Sequence, residues 1–254
     1  MLEFPTTEDT FLDGRVTLVQ PAKGAHRSGS DAVFLAACLS NVHGRVLDMG
    51  AGVGAVGLFI AAQCSGVTVD LAERDLMMLA CCERSLIKND QYRPRVNICA
   101  VDVCTNEQDR IAAGLARAAY DHVVTNPPYR KAGHVRVNED KRSAHTIDNA
   151  SLNAWMRTAA SCLKPGGSIT IIFSADGLTD LFKALDGRFG AVVVKGLHPL
   201  KEKPAERVLV RAIKGRKTPL RILPGLIVHD EGGAYSQEAR AILQGGRAID
   251  LAYG

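Results

Sequence analysis

The chain has 254 residues, of which 46% are hydrophobic, 23% charged and 5% aromatic, and its formal net charge is +4. This balance fits a globular protein with one generous core, and it excludes collagen-like, coiled-coil and disordered chains, because Gly and Pro are near average usage and the aliphatic residues fall in short runs. No apolar run approaches the roughly 20 residues that span a bilayer, and the acidic start Met1-Leu2-Glu3-Phe4-Pro5-Thr6-Thr7-Glu8-Asp9 is unlike a secretory leader.

From Gly44 onward, strand-like and helix-like segments alternate. Arg45-Val46-Leu47-Asp48 is the first predicted strand; a glycine-rich loop and a helix over 55–63 follow it. A strand over 67–73 precedes a helix over 76–88, a strand over 96–102 precedes a helix over 111–118, and a fourth strand covers 120–125. A helix over 152–163 stops at Lys164-Pro165-Gly166-Gly167, and a strand over 168–173 and a helix over 178–185 come next. The alternation predicts an α/β fold: a doubly wound, mostly parallel sheet with helices on both faces. Two more strand-like runs, 191–197 and 207–214, are joined by a loop too short for a parallel crossover, so the last strands of this seven-stranded sheet are expected to be antiparallel. On this reading residues 1–43 are an N-terminal extension, 44–214 the core domain and 215–254 a C-terminal appendage. The appendage has a possible short strand between Pro219 and Pro224 and a helix over 235–244 capped by Ser236.

The modest net charge is unevenly placed. Between Lys195 and Arg221 nine basic residues face two acidic ones, a local +7 that leaves −3 for the rest of the chain. Such a stretch suits a polyanionic partner, although a solvated hairpin with a basic face accounts for it equally well. The seven cysteines form no C-x-x-C pair and sit mostly in apolar segments, as expected of core residues in a reduced cytosolic protein without a metal site.

Asp48-Met49-Gly50-Ala51-Gly52-Val53-Gly54-Ala55-Val56-Gly57 lies between the first strand and first helix, where the chain must turn tightly and a ligand can approach bare backbone. Gly52, Gly54 and Gly57 satisfy the dinucleotide pattern, and Glu73 stands where a ribose-binding acid is expected, so a nicotinamide or flavin enzyme competes at this point. Two details favour S-adenosylmethionine. Asp48, before the first glycine, suits an ammonium and would repel a pyrophosphate, and Asp102, at the end of the third strand, can accept from an adenine amino group. Three successive strands thus end in carboxylates on the edge where open parallel sheets bind ligands. Gly50, Ala51, Gly52 and Gly54 with Asp48, Glu73, Arg74, Asp102 and Val103 form the expected cofactor surface.

Asn126-Pro127-Pro128-Tyr129 follows the fourth strand directly. Two prolines continue neither a sheet ladder nor a helix, so they make a rigid corner beside the cofactor. The Asn126 amide oxygen and the Pro127 carbonyl supply two acceptors for the hydrogens of a planar NH2, and Tyr129 supplies a stacking face. An exocyclic amine has its lone pair delocalised into a π system; holding both hydrogens draws the nitrogen toward tetrahedral geometry and aims the lone pair at a methyl donor. Asn126, Pro127, Pro128 and Tyr129 are therefore the expected catalytic group, with Asn126 also bordering the cofactor.

These residues resemble the class I S-adenosylmethionine-dependent methyltransferases of the NPPY kind, and within them the bacterial tRNA1(Val) adenine-37 N6-methyltransferase family. The likeness extends to Gln20 through Leu35, with its basic-x-Gly-x-Asp signature at Arg27, Gly29 and Asp31, and to Tyr235-Ser236-Gln237-Glu238-Ala239. The resemblance implies a Rossmann-like fold, an N-terminal segment covering the cofactor with Arg27, Gly29 and Asp31 lining its site, and transfer to an adenine N6 of structured RNA of the tRNA kind. Tyr129, Lys131, Arg142 and Lys201 would contact that substrate. The chain departs from the family at Arg142-Ser143-Ala144-His145 and at its C-terminal end, both on the substrate side. Glutamine N5 of a protein and an oxygen of a small molecule remain the alternative acceptors.

Overall fold

The computed structural model describes residues 4–22, 27–128 and 149–252. The chain opens with an antiparallel hairpin, β1 (Thr6–Phe11) and β2 (Val16–Pro21), followed by α1 (Ser30–Ala37). Then come β3 (Gly44–Met49), α2 (Ala55–Gln63), β4 (Val67–Glu73), α3 (Leu76–Lys88), β5 (Val96–Ala100), α4 (Glu107–Ala112) and β6 (Tyr120–Thr125). The second half contains α5 (Asn149–Cys162), β7 (Leu163–Ser174), α6 (Leu178–Leu185), β8 (Phe189–His198), β9 (Arg207–Lys214), β10 (Arg221–Ile227) and α7 (Gln237–Leu243).

The main sheet has the order β10-β8-β9-β7-β6-β3-β4-β5. The expected alternation is present, and β9 alone runs antiparallel to its neighbours, β7 and β8. The sheet exceeds the seven-stranded expectation by one, because β10 pairs in parallel with β8. Residues 215–252 are joined to the core by several contacts. They supply this eighth strand, α7 packs on α1 and β10, and Ile249 donates its N–H to the Ala37 carbonyl while its side chain and that of Leu251 are buried. The helix expected over 111–118 is instead α4, started by Asn106, whose side chain accepts from the Asp109 N–H, and ended before Gly114, which has φ +95°.

Side chains leave the strands alternately. Val46, Val69, Leu71, Val124, Ile172 and Leu209 face a core shared with α1, α2 and α3, whereas Leu47, Met49, Ala72, Val123, Ile169 and Ile171 face a second core with α5 and α6. Helix α2 reads Ala-Val-Gly-Leu-Phe-Ile-Ala-Ala-Gln, with no polar face, and seven of its residues are buried. A helix apolar all round has to be covered on both sides. The sheet covers one side, and the N-terminal hairpin, against which Phe59 packs through Phe11 at 5.1 Å between ring centroids, covers the other.

The hairpin is fastened to α3 by an unusual seam. Asn89, just after α3, exchanges two hydrogen bonds with Thr17, receiving its N–H at 3.0 Å and donating to its carbonyl at 2.6 Å. One turn earlier, the Ser85 hydroxyl accepts the Val19 N–H at 2.9 Å. Two buried side chains, one on α3 and one at its C-terminal end, thus satisfy backbone groups along the outer edge of β2. Replacement Asn89→Ala strands the Thr17 groups and is expected to destabilise the protein by about 1–3 kcal/mol. Urea unfolding measures this, and a loss below about 0.5 kcal/mol would show that water takes over the seam.

Candidate active site

The carboxyl edge of the sheet gathers the predicted residues into a row. Met49 is in register with Ala72 on β4 and with Thr125 on β6, so Gly50, Glu73 and Asn126 leave three adjacent strands side by side. Asp102 lies two residues beyond β5, which stops at Ala100 rather than continuing to the acid; the Val101 N–H still donates to the Glu73 carbonyl at 2.8 Å.

The glycine loop turns through three left-handed residues, Gly50 (φ +70°), Gly52 (+57°) and Gly54 (+83°). These glycines serve different ends. A Cβ on Gly54 would meet Cys82 Sγ at 2.9 Å, and one on Gly57, inside α2, would meet Leu71 at 2.2 Å, so both allow close packing of helix against sheet. Beside Gly52 there is open space, as a ligand-facing position requires.

Asp48 follows Val46 on the face toward α2 and is buried; its Oδ2 accepts the Gly57 N–H at 2.9 Å. Burial pushes its pKa up to about 7, against the pull of that N–H and with added repulsion from Glu73. Glu73 Oε2 accepts the Gly52 N–H at 2.8 Å, and Oε1 accepts the N–H groups of Arg74 and Asp75 at 2.7 and 2.8 Å. The acid is thereby clipped to the tip of the glycine loop. Partial burial acts to raise the Asp102 pKa, but the Cys104 N–H and the Arg74 guanidinium, 2.8 Å from Oδ2, outweigh it and hold the carboxyl below its ordinary value. Val103 is buried next to it, and its carbonyl accepts the Thr158 hydroxyl of α5 at 2.7 Å.

On the other side of the row, Asn126 and Pro128 are half-buried and Pro127 is buried at the end of β6. Tyr129, Lys131 and Arg142 lie outside the described residues. Lys201 is exposed in the turn between β8 and β9. Gly29 caps α1. The other two residues of the N-terminal signature have protein partners. Asp31 pairs with Arg207 at 3.1 Å, at the start of β9, and Arg27 pairs with Asp9 of the hairpin at 2.7 Å. Because β9 runs backwards, Arg207 is at the carboxyl edge, in register with Ser174 at the end of β7, and Lys214 is at the opposite edge. The contiguous basic stretch is therefore divided between the two ends of the sheet.

Sequence reasoning missed Trp155 and Thr125. The indole N–H of Trp155, on α5, donates to the Thr125 hydroxyl at 3.0 Å, which in turn donates to the Met49 carbonyl at 2.8 Å. The ring lies so close to Gly50 that a Cβ there would meet it at 2.8 Å. The available signal was a lone tryptophan on the helix after the proline corner. No described helix is long and apolar enough to cross a membrane.

A mostly parallel sheet with a glycine loop after its first parallel strand and acids at or just past the ends of the next two is the architecture of a Rossmann-like methyltransferase. The chain belongs to the methyltransferase small domain family, whose model matches residues 25–196, and it is an S-adenosylmethionine-dependent enzyme. It is 26% identical over 214 residues to a Shewanella baltica protein named tRNA1(Val) (adenine(37)-N6)-methyltransferase, covering 82% of this chain and 87% of that one. A Musicola paradisiaca protein of the same name is 25% identical over 227 residues, covering 87% of each. Among solved structures, Atu636 from Agrobacterium tumefaciens, described as a predicted O-methyltransferase, superposes with a TM-score of 0.74 at 29% identity and covers 87% of this chain and 98% of that one.

Proposed function

We propose that this enzyme methylates the exocyclic N6 of an adenine in a structured RNA of the tRNA kind, working in the cytoplasm. The observation that carries the reading is the placement of Asn126-Pro127-Pro128 at the end of β6, beside the glycine loop. The names of the relatives, matched over most of their length, agree with it.

S-adenosylmethionine, when bound, supplies a methyl group on a positively charged sulfonium. In the proposed assignment Gly50, Ala51, Gly52 and Gly54 let the backbone approach the cofactor, Asp48 faces its ammonium, and Glu73 accepts from the ribose hydroxyls. Asp102 accepts from the adenine amino group, with Arg74 and Val103 flanking the ring, while Arg27, Gly29 and Asp31 close the N-terminal side. The Asn126 amide oxygen and the Pro127 carbonyl hold the two hydrogens of the target amine, and Tyr129 stacks on the flipped-out base. Lys131, Arg142 and Lys201 contact phosphates. No strong base is needed, because the amine becomes acidic as its fourth bond forms.

Labelled S-adenosylmethionine incubated with total tRNA from a strain lacking the gene, followed by nucleoside analysis, tests the reading. Label in N6-methyladenosine is the expected result, and label absent from RNA would overturn it. The description of Atu636 makes an oxygen acceptor the second reading. With a cell extract in place of the tRNA, label recovered on a small-molecule hydroxyl would favour that chemistry, and label only in protein would favour glutamine.

The assignment of Asp48 predicts a pH dependence of cofactor binding. An ammonium favours the carboxylate, so below about pH 7, where Asp48 is protonated in the free protein, a proton has to leave on binding. Affinity is therefore expected to rise with pH by up to about tenfold per unit between pH 5.5 and 7 and then to level off. Calorimetry in buffers of different ionisation enthalpy should detect the released proton, and Asp48→Asn should remove both effects. A wild-type dissociation constant independent of pH over this window would contradict the contact.

A further inference from the structure

We infer that Trp155 is a positioning residue that fixes the spacing between the cofactor loop and the catalytic corner, and that its fluorescence reports occupancy of the cofactor site. The inference rests on the proposed role of Asn126. It is carried by a continuous chain of contacts: Trp155 Nε1–H to Thr125 Oγ1, Thr125 Oγ1–H to the Met49 carbonyl, and the indole ring against Gly50.

The direction of the two hydrogen bonds is fixed. An indole N–H only donates, so the Thr125 oxygen accepts from it and directs its own proton to Met49. Met49 immediately precedes the glycine loop, and Thr125 immediately precedes Asn126. One side chain from a third element therefore ties the last residue before the methyl donor's cradle to the last residue before the proposed acceptor clamp. The same helix is held elsewhere at this edge: one turn after Trp155, Thr158 donates to the Val103 carbonyl, beside the Asp102 loop, and Leu152 and Met156 anchor α5 in the core. Helix α5 thus contacts the ends of β3 and β6 and the loop beyond β5.

An in-line transfer is sensitive to the distance between donor and acceptor, and a misplacement of about 1 Å can cost roughly 100-fold. Trp155→Phe keeps a ring against Gly50 and removes the N–H; Thr125→Val removes the bridging hydroxyl and keeps its shape. Each is expected to lower kcat about 10- to 100-fold while changing the cofactor dissociation constant, measured by calorimetry with S-adenosylhomocysteine, less than about threefold. The double variant is expected to be no worse than either single one, because both break the same chain, and Thr125→Ser is expected to restore activity to within about threefold of the parent. Trp155 is the only tryptophan in the chain, so saturating S-adenosylhomocysteine is expected to shift or quench the wild-type emission, a readout that needs no acceptor.

A kcat of Trp155→Phe within twofold of wild type, additive losses in the double variant, or unchanged emission at calorimetrically verified saturation would each overturn the inference. An active Asn126→Ala enzyme would instead overturn the role of Asn126, and the emission response of Trp155 would still be measurable. Circular dichroism and thermal unfolding of Thr125→Ser and Trp155→Phe separate these effects from loss of fold.

Discussion

Asn126→Ala is expected to reduce kcat about 1,000-fold while leaving the cofactor dissociation constant within about threefold of wild type. The side chain leaves the end of β6 next to the glycine loop, and its proposed task exists only while the target amine is being pyramidalised. Losing an interaction of that kind lowers kcat and kcat/KM together. Asn126→Asp keeps an acceptor oxygen at the same position and should lose less, about 10- to 100-fold, as the added charge disturbs the site without removing the hydrogen bond. Single-turnover methyl transfer reads the chemical step directly. A kcat within fivefold of wild type for the alanine variant, or an equal loss in cofactor affinity, would remove Asn126 from the chemistry.

The largest effect on stability is expected away from the site, at the opposite edge of the sheet. Asp70 of β4 is buried, and its carboxylate gathers three other strands: Oδ2 accepts from Arg45 of β3 at 2.6 Å and from the Tyr120 hydroxyl of β6 at 2.7 Å, and Oδ1 accepts from Asn97 of β5 at 2.9 Å. The Arg45 guanidinium also lies over the Tyr120 ring, 4.8 Å from its centroid. Burial, the hydrogen bond to Asp70 and that carboxylate's charge all push the Tyr120 hydroxyl pKa upward, so it remains a donor throughout the ordinary pH range. Asp70→Ala leaves the wholly buried Tyr120 hydroxyl without its acceptor, whereas Arg45, whose side chain is 44% exposed, can turn to water. The expected cost is about 2–4 kcal/mol, below the roughly 3–5 typical of a fully buried broken pair because of that escape. Denaturant titration should show a lowered midpoint with an unchanged slope. A loss under about 0.5 kcal/mol would mean that a water replaces the carboxylate.

How far the sequence reveals the protein depends on the kind of signal. The parallel core was legible because alternating apolar runs and helices have distinct periods, and the row of strand ends followed from one glycine loop and three acids. The hairpin was not legible. Its residues Thr6 to Phe11 are polar or charged except for Phe11, so they show no alternation, and the partners that fasten it, Ser85 and Asn89, lie more than 60 residues away. An indirect sign existed in α2, whose lack of a polar face demanded a second cover. The place of β10 in the sheet was also hidden, since Pro224 argues against a sheet interior; it is accommodated because β10 is an edge strand whose pairing with β8 shifts register between Leu223 and Leu226. The clasp from Trp155 through Thr125 depends on which side chains a fold brings together, and no local pattern encodes it.

The reversal of β9 also bears on electrostatics. Arg207 and Lys214 are close in sequence, yet the strand holds their backbones about 24 Å apart, with Lys201 and Lys203 near one end and Arg216 and Lys217 near the other. Salt at physiological strength screens exposed charges over about 8 Å, so these two clusters form separate cationic poles that scarcely sense each other. A polyanion would meet them as independent footholds, and Lys214, Arg216 and Lys217 could be neutralised without altering the field at the carboxyl edge of the sheet.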